Sequence, residues 1–175
     1  MEGLARVGHA DRSCDREHIG LRGDHRPVSG LYSKGCRGGR DAGRQTIRRS
    51  GLAVVIDAEG RYLVTQRTPW IPYPLGWCFP GGRGKPGESH RDIVAREARE
   101  ELGVTVHPVR PLLHFLHEGW EEAWWLSRLE SDRLRHDPIE VWRCRWCPRS
   151  ELLQLPHFIQ AEFLPALWQA NPDLP

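Results

Sequence analysis

The stretch Gly82 to Val104, GRGKPGESHRDIVAREAREELGV, constrains this chain more than any other. Its approach and opening carry Gly81, Gly82, Gly84, Pro86 and Gly87, which suit neither a regular helix nor a strand interior. Ser89, with Asp92 three residues on, reads as a helix N-cap, and Gly103 as the stop of a helix running to about Leu102. On a helical wheel Val94, Ala95, Ala98 and Leu102 gather on one arc and Glu97, Glu100 and Glu101 on another. Like charges at that spacing repel by roughly a few tenths of a kcal/mol per pair. Two of the three also stand near the C-terminal end, where the helix dipole disfavours anions. A helix shaped for stability alone would not carry them. Local pairing offers one account, since Arg96 reaches Glu100 and Arg91 and Arg99 are close. A divalent cation offers another, because Mg²⁺ takes carboxylate oxygens and keeps places for water and phosphate.

The spacing decides between them. Gly82, five residues, Glu88, seven residues, Arg96-Glu97-Ala98, one residue, Glu100-Glu101, one residue and Gly103-Val104 resemble the Nudix box at every defined position. Trp77 and Phe79-Pro80-Gly81-Gly82 resemble the same family, and the resemblance, to a MutT-like Nudix hydrolase, runs from roughly Ser50 to Leu167. It implies an α/β fold: an α/β/α sandwich with a mixed β-sheet and a loop-helix-loop box. It implies water attack on a phosphorus of a pyrophosphate linkage, with Mg²⁺ as cofactor and Mn²⁺ as a substitute. Carried over by position, the metal ligands are Glu97, Glu100 and Glu101, the last two foremost, with the carbonyl of Gly81 or Gly82 added. Arg96 corresponds to the arginine that orients a glutamate, and Glu88 to the residue that braces the loop against the helix. The general base in some members lies outside the box. Glu118, Glu121, Glu122 and Glu140 are candidates here, and Glu140 is chosen because it precedes a predicted strand.

Composition bounds the rest. A chain of 175 residues, 39% hydrophobic and 27% charged, has room for one cored domain with an appendage. A net charge of +2 argues for neither nucleic acid nor membrane. No apolar run is long enough to span a bilayer, no apolar leader is evident, and five cysteines lack a framework spacing. The expectation is a cytoplasmic protein. Its partner is a small-molecule nucleotide rather than nucleic acid or membrane, and it is a monomer or a homodimer.

Residues 1–49 are Gly/Arg-rich, poor in aliphatics and aperiodic, and read as a disordered basic arm before a Nudix domain at 50–170. Cys14, His18, His25 and Cys36 lack the short spacing of a zinc knuckle. Gly51–Asp57 reads as a buried strand, Asp57–Gly60 as a turn, and Arg61–Arg67 as its hairpin partner. Leu75–Phe79 reads as a short strand into the glycine turn. Val104–Val106 and Leu112–Leu116 read as strands parted by Pro108 and Pro111, and Trp120–Leu129 as another strand, with a helix as the alternative. Val141–Cys147 alternates, which sends Cys144 and Cys147 to opposite faces and disposes of their CxxC spelling as a metal or redox site. Ser150 can cap a short helix, and Ile159–Trp168 reads as a terminal helix bent near Pro165.

The stretch LVTQRT…FPGG resembles a coenzyme A-cleaving subfamily. However, Tyr73 stands near the place of that signature's arginine and the spacing to Phe79 is off by one, so the specificity is not adopted. Trp120, Trp124 and Trp125 offer rings on which a nucleobase could stack. The substrate class implied is a nucleoside triphosphate, or a nucleoside diphosphate linked to another group. Three alternatives stand beside it. An RNA 5′-end pyrophosphohydrolase would use the basic arm as a guide, and a non-catalytic Nudix-fold regulatory domain is opposed by the intact box glutamates. An isomerase of prenyl diphosphates would need a cysteine–glutamate pairing that the sequence does not display.

Overall fold

The computed structural model describes residues 48–117 and 119–175. The expected arm with its Cys14, His18, His25 and Cys36 lies outside the described residues apart from Arg48 and Arg49, and so does Glu118.

Four strands make a mixed sheet in the order β4 (Gly81–Arg83), β1 (Arg48–Val55), β6 (Trp120–Leu129), β5 (Val106–His117). Only β1 and β6 run parallel; the other pairs are antiparallel. A second, antiparallel sheet has the order β3 (Trp77–Cys78), β2 (Arg61–Arg67), β7 (Val141–Pro148). The expected β1–β2 hairpin is therefore corrected: the two strands meet only at an Ile56–Tyr62 bridge. β1 has both edges taken by β4 and β6, so β2 pairs elsewhere.

Alternation along β1 divides the core. Leu52 and Val54 join a cluster with Tyr62, Phe79, Trp124, Leu164, Leu167 and Trp168; Ala53 and Val55 join one with Leu63, Val94, Ala98 and Leu102. The first cluster is closed by α3 (Leu164–Ala170) and the second by α1 (His90–Leu102), which gives the expected helix–strand–helix layering. Gly51 lets α1 come close, since a Cβ there would sit 2.8 Å from Val94 Cγ2.

Three further expectations change. β5 is one strand through Pro108 and Pro111, with its register shifting beside each proline; it forms the sheet edge, where a missing N–H costs no ladder bond. Pro165 opens α3 instead of bending it, behind a 3₁₀ turn at Ala161–Phe163, because a first-turn residue needs no N–H. Ser150 lies inside the four-residue α2 (Arg149–Leu152), whose cap position is Pro148. Arg48 and Arg49, read as part of the arm, lie in β1. At the other end Leu174 is buried, and the Tyr62 hydroxyl donates to the Pro175 carbonyl at 2.7 Å. Cys144 and Cys147 do fall on opposite faces, one against each core cluster.

Candidate active site

The glycine turn and α1 build the site. Ser89 caps α1 through a reciprocal pair with Asp92, and Gly103 ends it at φ +68°, as the sequence predicts. Gly81 sits at φ +144°, and a Cβ there would lie on the β1 backbone; at Gly82 a Cβ would meet the Glu97 carboxylate at 2.7 Å. The two glycines thus let β4 lie directly against the glutamates of the helix.

Arg96 organises the outer side of this contact. It donates to both Glu88 oxygens at 2.6 and 2.7 Å, to Glu97 at 2.7 Å, to Glu100 at 3.1 Å and to the Arg83 carbonyl at 3.0 Å. Glu88 also accepts from the Lys85 N–H at 2.6 Å. The Arg96 guanidinium holds the Glu88 carboxyl down to about 2, and its own pKa is raised in return. The network joins Arg96 to three glutamates and, through Glu88, ties the Lys85 loop to the helix.

The inner side is a cavity of about 760 Å³. Glu97, Glu101 and Glu140 line it, together with Gly81 and Gly82. Glu101 is buried and accepts the Gly81 N–H at 2.9 Å; desolvation pushes its carboxyl up to about 8, against that hydrogen bond. Burial likewise raises Glu97, with Arg96 opposing and the Glu100 and Glu140 charges adding to the rise. Buried carboxylates that repel one another are costly unless a cation joins them. Their oxygens are also the hard donors that a Mg²⁺-like ion prefers, so the residues present fit a divalent metal.

The expected site residues divide accordingly. Glu97, Glu101, Glu140, Gly81 and Gly82 meet at the cavity. Glu100 does not line it: its side chain is 56% exposed and points to Arg96 and Lys85. Among the other base candidates, Glu122 is buried and occupied, accepting from Ser50 Oγ at 3.0 Å and Trp124 Nε1 at 2.7 Å. Glu121 faces away from the cavity and pairs with Arg49 at 2.9 Å. Of the tryptophans, Trp124 is core, Trp125 packs under α1, and Trp120 lines the cavity with the Arg48 and Arg83 guanidiniums over its ring.

Sequence reasoning missed several walls of the cavity. Arg67 and Arg83 bring positive charge, and His117 and the segment His157–Gln160 complete the lining. That segment docks beside β3, with the Trp77 N–H donating to His157 O at 3.1 Å and the Ile159 N–H to Trp77 O at 2.7 Å. His157 and Gln160 hold positive φ, a conformation that no turn motif in this stretch announces. Cys78 also faces the cavity, its thiol pushed up to about 11 by burial.

The model of the NUDIX domain family matches residues 46–167. A CTP pyrophosphohydrolase of Escherichia coli (strain K12) is 40% identical over 115 residues, which cover 60% of this chain and 79% of that protein. An NAD-capped RNA hydrolase NudC of Stutzerimonas stutzeri is 30% identical over 116 residues, 62% of this chain but 40% of the relative. Among solved structures, a MutT NUDIX hydrolase from Burkholderia pseudomallei superposes with a TM-score of 0.58 at 26% identity, covering 70% of this chain and 96% of that one. No helix among the described residues is long and apolar enough to cross a membrane.

Proposed function

The chain belongs to the Nudix family and is a hydrolase of pyrophosphate linkages in nucleotide-linked substrates, and on that premise we propose that it is a Mg²⁺-dependent pyrophosphohydrolase of nucleoside triphosphates. A pyrimidine triphosphate such as CTP is the first substrate to try, in line with the relative that is 40% identical. The observation that carries the reading is the convergence of Glu97, Glu101 and Glu140 on one cavity floored by Gly81 and Gly82.

Glu97 and Glu101 would hold the metal, with Glu100 able to join by a change of rotamer at its exposed position. The bound ion supplies charge neutralisation at the phosphate oxygens and a more acidic water. The protein's own part is positioning. Arg96 fixes Glu97, and the Gly81 N–H fixes Glu101, so neither carboxylate must reorganise during the reaction. Arg67 and Arg83 line the same cavity and offset the charge of the polyphosphate. Glu140 is assigned as the acceptor of the proton that the attacking water loses. The bridging P–O bond between the α and β phosphates breaks as the new bond from water to phosphorus forms, and a nucleoside monophosphate and pyrophosphate depart.

The test is product release from CTP, the other ribonucleoside and deoxyribonucleoside triphosphates, ADP-ribose, NAD and NAD-capped RNA, with Mg²⁺ present. Triphosphates turned over best, with loss of activity in Glu101→Gln, is the expected outcome. A preference for NAD or capped RNA, in line with the 30% identical relative, would replace this substrate assignment.

A further inference from the structure

On the face of β6 turned away from the cavity, three ligand-type side chains come together from three elements. His90 is the first residue of α1, His114 lies on β5 and Glu121 on β6. One donor atom from each lies within 4.8 Å of the other two. The sheet register explains two of them: Leu116 is opposite Glu121 and His114 opposite Ala123, so His114 and Glu121 are diagonal neighbours on one face. Trp120 and Glu122, which line the cavity, point to the other face by alternation.

We infer that His90, His114 and Glu121 form a second metal site, separate from the glutamate cavity, for a borderline divalent ion of the Zn²⁺ type. Two imidazoles and one carboxylate make a poor Mg²⁺ site and a good zinc-type site, with a fourth position left to water. The rings are already held toward one another, with centroids 5.2 Å apart. His114 Nε2 lies 3.2 Å from Glu121 Oε1, and Arg49 engages the other oxygen at 2.9 Å, so Oε1 is the one turned to the imidazoles. His90 Nε2 donates to the Glu121 carbonyl at 3.0 Å, an outer hydrogen bond of the kind that orients a metal-bound ring. A small rotation of His114, whose side chain is 55% exposed, brings the donors to the separation of about 3.4 Å that tetrahedral bonds of about 2.1 Å require. A bound ion would pin the start of α1, the helix that carries Glu97 and Glu101, to the β5–β6 pair that carries Trp120.

The test uses the full chain in excess Mg²⁺, which occupies hard carboxylate sites, and titrates Co²⁺ while recording its visible ligand-field absorption. A parallel Zn²⁺ titration reads the melting temperature. The expected result is a saturable Co²⁺ band and a Zn²⁺-dependent rise in Tm in the native protein. Both should be lost in His114→Ala and strongly weakened in His90→Gln, while Mg²⁺-dependent hydrolysis persists in each variant and shows it to be folded. A band of thiolate character, or a band and Tm rise undiminished in both variants, would put the ion on cysteines or elsewhere and overturn the assignment. Absence of any saturable Co²⁺ band in the native protein would overturn it as well.

Discussion

Glu100 and Glu101 are adjacent on α1 and live in opposite environments. Glu100 faces outward, where Arg96 and Lys85 answer its charge. Glu101 faces inward, 4% exposed, with a backbone N–H for a partner and two further carboxylates, Glu97 and Glu140, acting on it. The same helix therefore has a balanced face and an unbalanced one. On the balanced face Arg96 drives Glu88 down to about 2; on the unbalanced face burial drives Glu101 up to about 8. Carboxylates matched to a cation hold the loop in place. Carboxylates left unmatched in a cavity are ready to receive one.

Breaking the unbalanced face should cost activity and spare stability. Glu101→Gln keeps an acceptor for the Gly81 N–H and removes the charge, so turnover should fall on the order of 10³-fold. The neutral-pH melting temperature of the metal-free protein should rise, because the variant is spared the loss of stability that native Glu101 brings above pH 4.5; a large drop would mean that the carboxylate holds the fold. Glu140→Gln should lower kcat by about 10²-fold while the Mg²⁺ affinity seen by calorimetry is retained. Loss of Mg²⁺ affinity instead would make Glu140 a ligand and not the base.

Breaking the balanced face should do the reverse. Arg96→Met leaves Glu88 and Glu97 without their guanidinium and should cost about 2–3 kcal/mol in denaturant unfolding. Metal affinity should weaken by about 10–100-fold as Glu97 loses its orientation. If the variant is as stable as the native protein, the network is an exposed decoration.

The smallest effect is the dependence of metal-free stability on pH, where the two faces have opposite signs. Glu88 has a folded pKa below its ordinary 4.5, so its contribution is present above 4.5 and is lost as pH falls toward about 2. Glu101 has a folded pKa above 4.5, so the unfolded chain sheds its proton first, and stability declines as pH rises from 4.5 to about 8. Urea melts across pH should show that neutral decline in the native protein and a flatter profile in Glu101→Gln. An equal slope in both would assign the decline to other groups.

The capped helix, the glycine turn and the grouping of Glu97, Glu100 and Glu101 on one arc follow from local rules: capping chemistry, the conformational needs of glycine and a 3.6-residue period. The outward turn of Glu100 away from its neighbours does not, since it depends on where the cavity lies. The Arg96–Glu88 brace was legible through family spacing. What the sequence hid is non-local. Nothing in the spelling of Arg61–Arg67 says that β1 already has two neighbours and must send β2 to another sheet. Glu140 is 39 residues from Glu101, and only the fold shows that both reach the same cavity, that Glu121 does not, and that Glu122 reaches it already engaged by Ser50 and Trp124. Pro108 and Pro111 looked like breaks because edge position is a property of the sheet and not of the strand. The His90–His114–Glu121 cluster draws on three elements, and no motif joins them.

Burial of Glu101 beside Glu97 and Glu140 favours its protonated form, and a divalent cation bound there displaces that proton. Calorimetric titration of Mg²⁺ at neutral pH, in two buffers of different ionisation enthalpy, counts the protons released on binding. The account predicts release of roughly one proton in the native protein and close to none in Glu101→Gln. Mg²⁺ binding with no proton release in the native protein, or with equal release in the variant, would contradict it.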